Sequence, residues 1–260
     1  MRMLRLFSVI FSFSMRRALT FRTDLFFQLL ITAFGIIAGF FALEIVYTQT
    51  KTLAGWSIGE ATALLGTFQI MSGILSTFIE PNMNWFANQV KDGKFDSILL
   101  QPVPSIILAS LGVFAPLSLL QVLIGIAVVI FGLCEIGNMP TLWNVLGWLI
   151  LLAVGITITW ASRVLIASLA FWVPSVSLDV LYGALWQCGR YPVNIYRQPF
   201  RFVATYILPV AFIATIPTEM LIRGSNVLLI VSGLLVGVGA IVTTHLMWNI
   251  GLRRYTSATS

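Results

Sequence analysis

The chain has 260 residues, 58% of them hydrophobic and 9% charged, where an ordinary soluble domain carries roughly a quarter charged residues. So much apolar surface cannot be hidden in one small core, which excludes a water-soluble globular protein and makes hydrocarbon the expected solvent. The formal net charge of +6 sits beside apolar runs, with Arg2, Arg5, Arg16, Arg17 and Arg22 before the first acidic residue, Asp24, and Arg253 and Arg254 near the end. That placement points to cytoplasmic anchors at a membrane and away from nucleic acid.

An all-α membrane protein is expected. Outer-membrane strands alternate polar and apolar residues, whereas Leu119 to Leu133 is apolar on every face. Residues 1–24 mix arginines with Leu4, Leu6, Phe7, Ile10, Phe11 and Phe13, which suits an amphipathic helix in the headgroup layer. A signal peptide is the rival reading, but no small-x-small cleavage pattern follows.

Residues 25–260 then read as a transmembrane domain of six spans. The first runs near Leu25 to Tyr47 and the second near Ile58 to Ile79, where Glu80 and Pro81 are expected to stop it. A polar connection, 82–104, follows. The third and fourth spans lie near Ser105 to Leu133 and Leu142 to Ala161, on either side of the turn Gly137-Asn138-Met139-Pro140. Arg163 interrupts the apolar stretch that continues to Val173, and a shorter fifth candidate covers about Pro174 to Gln187. The segment 191–223 is broken by Pro192, Pro199, Pro209 and Pro217 and is too short in its apolar part to cross, so a re-entrant or surface hairpin carrying Tyr191 and Glu219 is expected. The last span is Val227 to Ile250.

An even number of spans returns the carboxyl end to the side of the amino end, in keeping with basic residues at both. It also puts Arg190, Arg197, Arg201 and Arg223 on the outer side, against the positive-inside bias.

No catalytic constellation stands out. His245 is the single histidine and lacks the partners of a zinc helix. Cys134 and Cys188 are far apart and lack metal-ligand spacing, so both are read as packing residues and no metal site is expected. No G-x-x-x-x-G-K-[ST] phosphate loop is present, so this chain binds no cofactor by that route, and ATP and Mg would belong to a partner. Within the spans, Arg163 and Asp179 are candidates for a cargo path or for mutual pairing, since a charge in hydrocarbon needs a partner or water. Gln69 and Gln121 either line such a path or bridge packed helices.

The most informative stretch is Lys91-Asp92-Gly93-Lys94-Phe95-Asp96-Ser97-Ile98-Leu99-Leu100-Gln101-Pro102. Asp92 and Gly93 make a turn, and Phe95, Ile98 and Leu99 share one face of a short helix that prolines end. Such a ridge either fits a groove of a soluble partner or lies on lipid.

Asp92, Gly93, Lys94, Phe95 and Asp96, followed by Ile98, Leu99, Leu100 and Pro102, resemble the coupling-helix region of type-two ABC transporter permeases. The strings Arg190-Tyr191-Pro192-Val193-Asn194-Ile195-Tyr196 and Tyr206 to Phe212 resemble a bacterial branch of that class. The resemblance implies an amino-terminal amphipathic helix, six spans in the cytoplasmic membrane with both ends inside, a coupling helix after span two and an outer hairpin before span six. It implies export of a hydrophobic or amphipathic substrate, a cytoplasmic ABC ATPase dimer as partner, and a second permease, related or identical. The rivals are an ATP-driven importer's substrate-binding subunit and an ion-gradient carrier; a membrane enzyme is disfavoured by the lack of paired catalytic groups.

Overall fold

The computed structural model describes residues 2–20, 22–173, 178–202, 204–205, 210–224 and 227–255. Among these residues the chain is helical, without a strand. In chain order the helices are α1 (Arg2–Thr20), α2 (Arg22–Gln49), α3 (Ile58–Ile74), α4 (Glu80–Lys91), α5 (Asp96–Leu99) and α6 (Ser105–Leu111). They continue with α7 (Leu119–Ile136), α8 (Leu142–Ser168), α9 (Asp179–Cys188), α10 (Phe200–Phe202), α11 (Thr215–Arg223) and α12 (Val227–Arg254).

Five stretches are long and apolar enough to cross a bilayer: Leu30–Gln49, Ile58–Lys91, Pro116–Ile136, Leu142–Phe171 and Val227–Arg254. They overlap five of the six expected spans. In place of the other, α9 has ten residues, about 15 Å of helix against a hydrocarbon core of about 30 Å; positions 174–177 lie outside the described residues.

Two expected boundaries are corrected. The helix does not stop at Glu80 and Pro81. It winds through a π-helical turn, Leu75–Ile79, and continues as α4, so that Ile58–Lys91 is one rod of 34 residues, about 51 Å long. Pro81 stands in the first turn of α4, where its missing amide hydrogen is tolerated. The Thr77 carbonyl that Pro81 leaves without a helical donor accepts the Ala115 N–H at 2.9 Å instead.

The third span, in turn, is not continuous from Ser105. It unwinds between Leu111 and Pro116 and restarts as α7. Buried Asn82 holds the opening: its Nδ2 donates to the Phe78 and Val113 carbonyls, both at 2.8 Å, and its Oδ1 accepts the Val113 N–H at 2.7 Å. Irregular backbone inside an apolar protein is stable when its polar groups are answered in this way. The two breaks satisfy each other.

α3 and α7 cross antiparallel along glycines spaced by seven: Gly59, Gly66 and Gly73 on one helix, Gly125 and Gly132 on the other. A Cβ at Gly66 would stand 2.6 Å from the Val129 backbone nitrogen, and one at Gly125 would stand 2.8 Å from that of Ile70. The backbones therefore touch without intervening side chains, the close packing that small residues permit between helices in lipid.

α8 and α12 run parallel to each other, as seen in Gly233 beside Leu151, the Thr244 hydroxyl bonded to the Ala161 carbonyl at 3.0 Å, and Gly251 against Phe171. α8 also runs parallel to α3 and α4, with Gly155 beside Met71, Arg163 bonded to Asn84 and Phe171 against Phe86. The bundle thus has two ends. A loop end gathers residues 91–105, Phe171 and Tyr255; a hairpin end gathers 50–57, 137–141 and α11. α1 belongs to the loop end, where the rings of Phe7 and Phe11 lie 6.2 and 6.0 Å from Phe114.

Candidate functional site

At the loop end the turn after α4 is built by local bonds. Asp92 N–H donates to the Asn88 carbonyl at 2.8 Å, Gly93 takes a φ of +69°, which glycine adopts without cost, and Lys94 Nζ reaches back to Asp92 at 3.0 Å. The short helix α5 follows, four residues long.

The side chains of this loop divide sharply. Phe95 is fully buried (0% exposed), so its ring does not belong to the outward ridge expected from spacing. It inserts among Phe86, Phe171, Trp248 and Tyr255 at centroid distances of 5.4, 5.5, 6.0 and 5.4 Å. Phe86, Phe171 and Trp248 also meet one another at 5.2–5.4 Å. Each such pair is worth about 0.5–1.5 kcal/mol beyond simple burial. Ile98 packs partly against this cluster. Leu99, Leu100 (87% exposed), Pro102, Asp92 and Lys94 face outward.

The aromatic cluster therefore bolts the loop to the ends of α4, α8 and α12. Sequence reasoning did not find it; its one local sign was Trp248, Gly251 and Tyr255 on a single face of the last helix, spaced i, i+3, i+7. Burial and the adjacent Asp96 carboxylate push the Tyr255 phenol up, so it stays protonated.

The charged candidates in the spans do come together. Arg163, 4% exposed, donates from Nη1 to Asp179 at 3.0 Å and from Nη2 to Asn84 at 3.3 Å, with its guanidinium 4.6 Å above the Tyr182 ring. It thus ties α8 to α9 and to α4, two residues from Phe86. Gln121 donates to the buried Thr32 hydroxyl at 3.1 Å and bridges α7 to α2; Gln69 is partly buried on α3.

The hairpin end is organised by charge. Arg223 Nη2 donates to the Gly55 carbonyl at 3.0 Å, and its guanidinium lies 3.6 Å from Glu60, 3.8 Å from Glu219 and 4.8 Å above the Trp56 ring. Asn194 bridges Glu219 at 3.5 Å and Arg201 at 2.7 Å. Burial pushes the Glu219 carboxyl up while Arg223 and Asn194 pull it down. Tyr191 and buried Pro192 lead into the turn Val193–Ile195, which is pinned by the Val193 N–H on the Thr215 hydroxyl at 3.2 Å. Pro217 is buried in α11; Pro209 lies outside the described residues. Met220 packs on Gly147 and Phe212 on Gly155, so the segment reaches about 12 Å down α8. Glu60 and Glu219 answer part of the positive charge that conflicted with the expected topology.

A cavity of about 370 Å³ lies between α8, α9, α12 and Val210–Ile213. None of Gln69, Gln121, Arg163 and Asp179 lines it.

Residues 33–259 match the family described as ABC-2 family transporter protein. No curated protein and no solved structure matches the chain. With a match over most of its length and with long apolar helices of the kind such a membrane subunit needs, the chain belongs to the ABC-2 transporter family.

Proposed function

We propose that this chain is the permease subunit of an ABC exporter and that its partner ATPase drives it through the loop Asp92–Pro102. Family membership makes the chain a membrane subunit of an ABC transporter, working with an ABC ATPase. The importer subunit and the ion-gradient carrier are disfavoured on the same ground. ATP and Mg belong to the ATPase.

The observation that carries the proposal is the aromatic cluster around Phe95. The loop offers Leu99 and Leu100 on its outside, while its inside is fastened to α4, α8 and α12. A push on the exposed leucines would move three helix ends together, and a packed cluster transmits such a shift because it resists compression. ATP-driven closure of an ATPase pair would then favour one of two bundle arrangements by contacting them differently. Two permeases, related or identical, would face each other around the cargo route.

The orientation in this proposal puts the loop end in the cytoplasm, with α1 in the headgroup layer and 191–223 entering the bundle from the outside. The basic residues at both chain ends support it. In this arrangement the sixth passage is composite: α9 and the segment after it together carry the chain from the loop end to the hairpin end. The cargo is hydrophobic or amphipathic.

Copurification tests the contact. Leu99→Asp with Leu100→Asp is expected to fold normally, lose its ATPase on affinity purification and stop transport in vesicles. Undiminished ATPase recovery and transport by this double variant would overturn the coupling assignment. Inside-out vesicles that release the cargo instead of accumulating it would overturn the direction.

A further inference from the structure

The cavity of about 370 Å³ exceeds twice the volume of an apolar cavity known to hold a benzene-sized guest, about 150 Å³, and falls in the range of small-molecule sites, roughly 300–1,000 Å³. Its chemistry follows from where its hydrogens go. The Thr159 hydroxyl donates to the Gly155 carbonyl at 2.7 Å, Thr243 to Gly239 at 2.8 Å and Thr244 to Ala161 at 3.0 Å. Ser162 donates to the Thr159 carbonyl at 2.9 Å, so Tyr182, whose hydroxyl lies 3.2 Å from Ser162 Oγ, must donate to it. The Trp186 indole N–H is bound to Ser72 at 3.1 Å. Among the described residues every side-chain donor in the wall is thereby spent on the protein, and most of what faces the space is methyl, methylene and ring.

We infer that this cavity binds a single hydrocarbon chain inside one subunit, with α9 as its movable wall. A ligand whose acceptors need donors would find none free among the described wall residues, whereas an apolar chain needs none. The wall is attached by side chains: Arg163 to Asp179, Tyr182 to Ser162 and Trp186 to Ser72. Arg163 also holds Asn84, so the latch of the wall is joined to the helix that leads into the Phe95 cluster. The inference goes beyond the proposed ATPase coupling and stands whether or not Asp92–Pro102 meets an ATPase.

Photolabelling of the purified full-length chain in nanodiscs tests it. Two probes are used separately: a phosphatidylcholine with a diazirine in one acyl chain, and a diazirine-bearing palmitate. Label is expected on the cavity side of α8 and α9, at Leu165 and Leu185. Ala240→Phe, which fills the space, is expected to reduce that label at least fivefold and to leave label on the outward Leu234 and Leu235 of α12 unchanged. Ser162→Leu serves as a second filling variant should Ala240→Phe not fold. Labelling by the phosphatidylcholine assigns the chain to membrane lipid; labelling by palmitate alone assigns it to a free amphiphile. Absence of label at the wall with both probes, or label that persists in the folded filling variants, overturns the inference.

Discussion

The contact of α3 with α7 and the contact of α8 with α9 join neighbouring helices by opposite means. In the first, backbones touch at Gly59, Gly66, Gly125 and Gly132, and nothing but a hydrogen fits between them. In the second, a ten-residue helix stands off across a cavity and is held to α8 by the Arg163–Asp179 ion pair and the Tyr182–Ser162 hydrogen bond, with a further hydrogen bond from Trp186 to Ser72 on α3. The difference locates rigidity and freedom. A backbone seam has one arrangement, since any slide drives atoms together, whereas polar side chains can release and re-form in another geometry.

The largest expected effect comes from breaking the seam. Gly66→Leu should leave no folded protein by size-exclusion chromatography, since a Cβ at that position already stands 2.6 Å from the Val129 backbone nitrogen. Gly183, on α9, has open space at its Cβ position; Gly183→Ala should leave the midpoint of thermal unfolding unchanged or raise it, which sharpens the contrast between the two helices.

Phe95→Ala comes next. It empties the middle of the aromatic cluster and should cost about 3–5 kcal/mol, seen as a lowered unfolding midpoint and as ATPase activity that no longer responds to the permease. A smaller effect is expected at α9. A double-mutant cycle of Arg163→Ala and Asp179→Ala should give a coupling of about 0.5–3 kcal/mol, with faster hydrogen exchange in Asp179–Cys188 and unchanged exchange in α3 and α7. Equal acceleration in all three helices would show that α9 is not the looser part. The smallest effect on folding belongs to Leu100→Asp, within about 0.5 kcal/mol of the parent as for exposed positions generally, although ATPase recovery should fall.

Much of this architecture was legible from local pattern. Apolar runs of crossing length marked five helices, although the second runs on to Lys91, the third opens before Pro116 and the fourth continues past Ala161 to Phe171, and the Asp92-Gly93 turn appeared as expected with Phe95 and Leu99 after it. What spacing did not reveal was the direction of Phe95. The four-residue α5 is too short for a periodic face, and the ring follows the aromatic pocket that Phe86, Phe171, Trp248 and Tyr255 build from three distant helices. The pairing of Arg163 with Asp179 was open in the sequence, because a separation of sixteen positions imposes no spacing rule. The heptad of glycines was present in the letters but carries meaning only when a second, matching row faces it.

By itself the sequence determined that the chain lives in hydrocarbon as helices, that both described ends come to one side of the bundle, and that the loop 91–102 carries charges and leucines there. Those properties are local: burying a helix in lipid depends on about 20 apolar residues in a row and on nothing else. Only the tertiary structure decided that Pro81 continues a helix instead of ending it, that the third span opens beside it, and that a cavity remains behind α9. Each of these depends on a partner far along the chain, since Thr77 needs Ala115, Asn82 needs Val113 and Arg163 needs Asp179. Such pairs are settled by which faces meet in space, and no period along the chain encodes that.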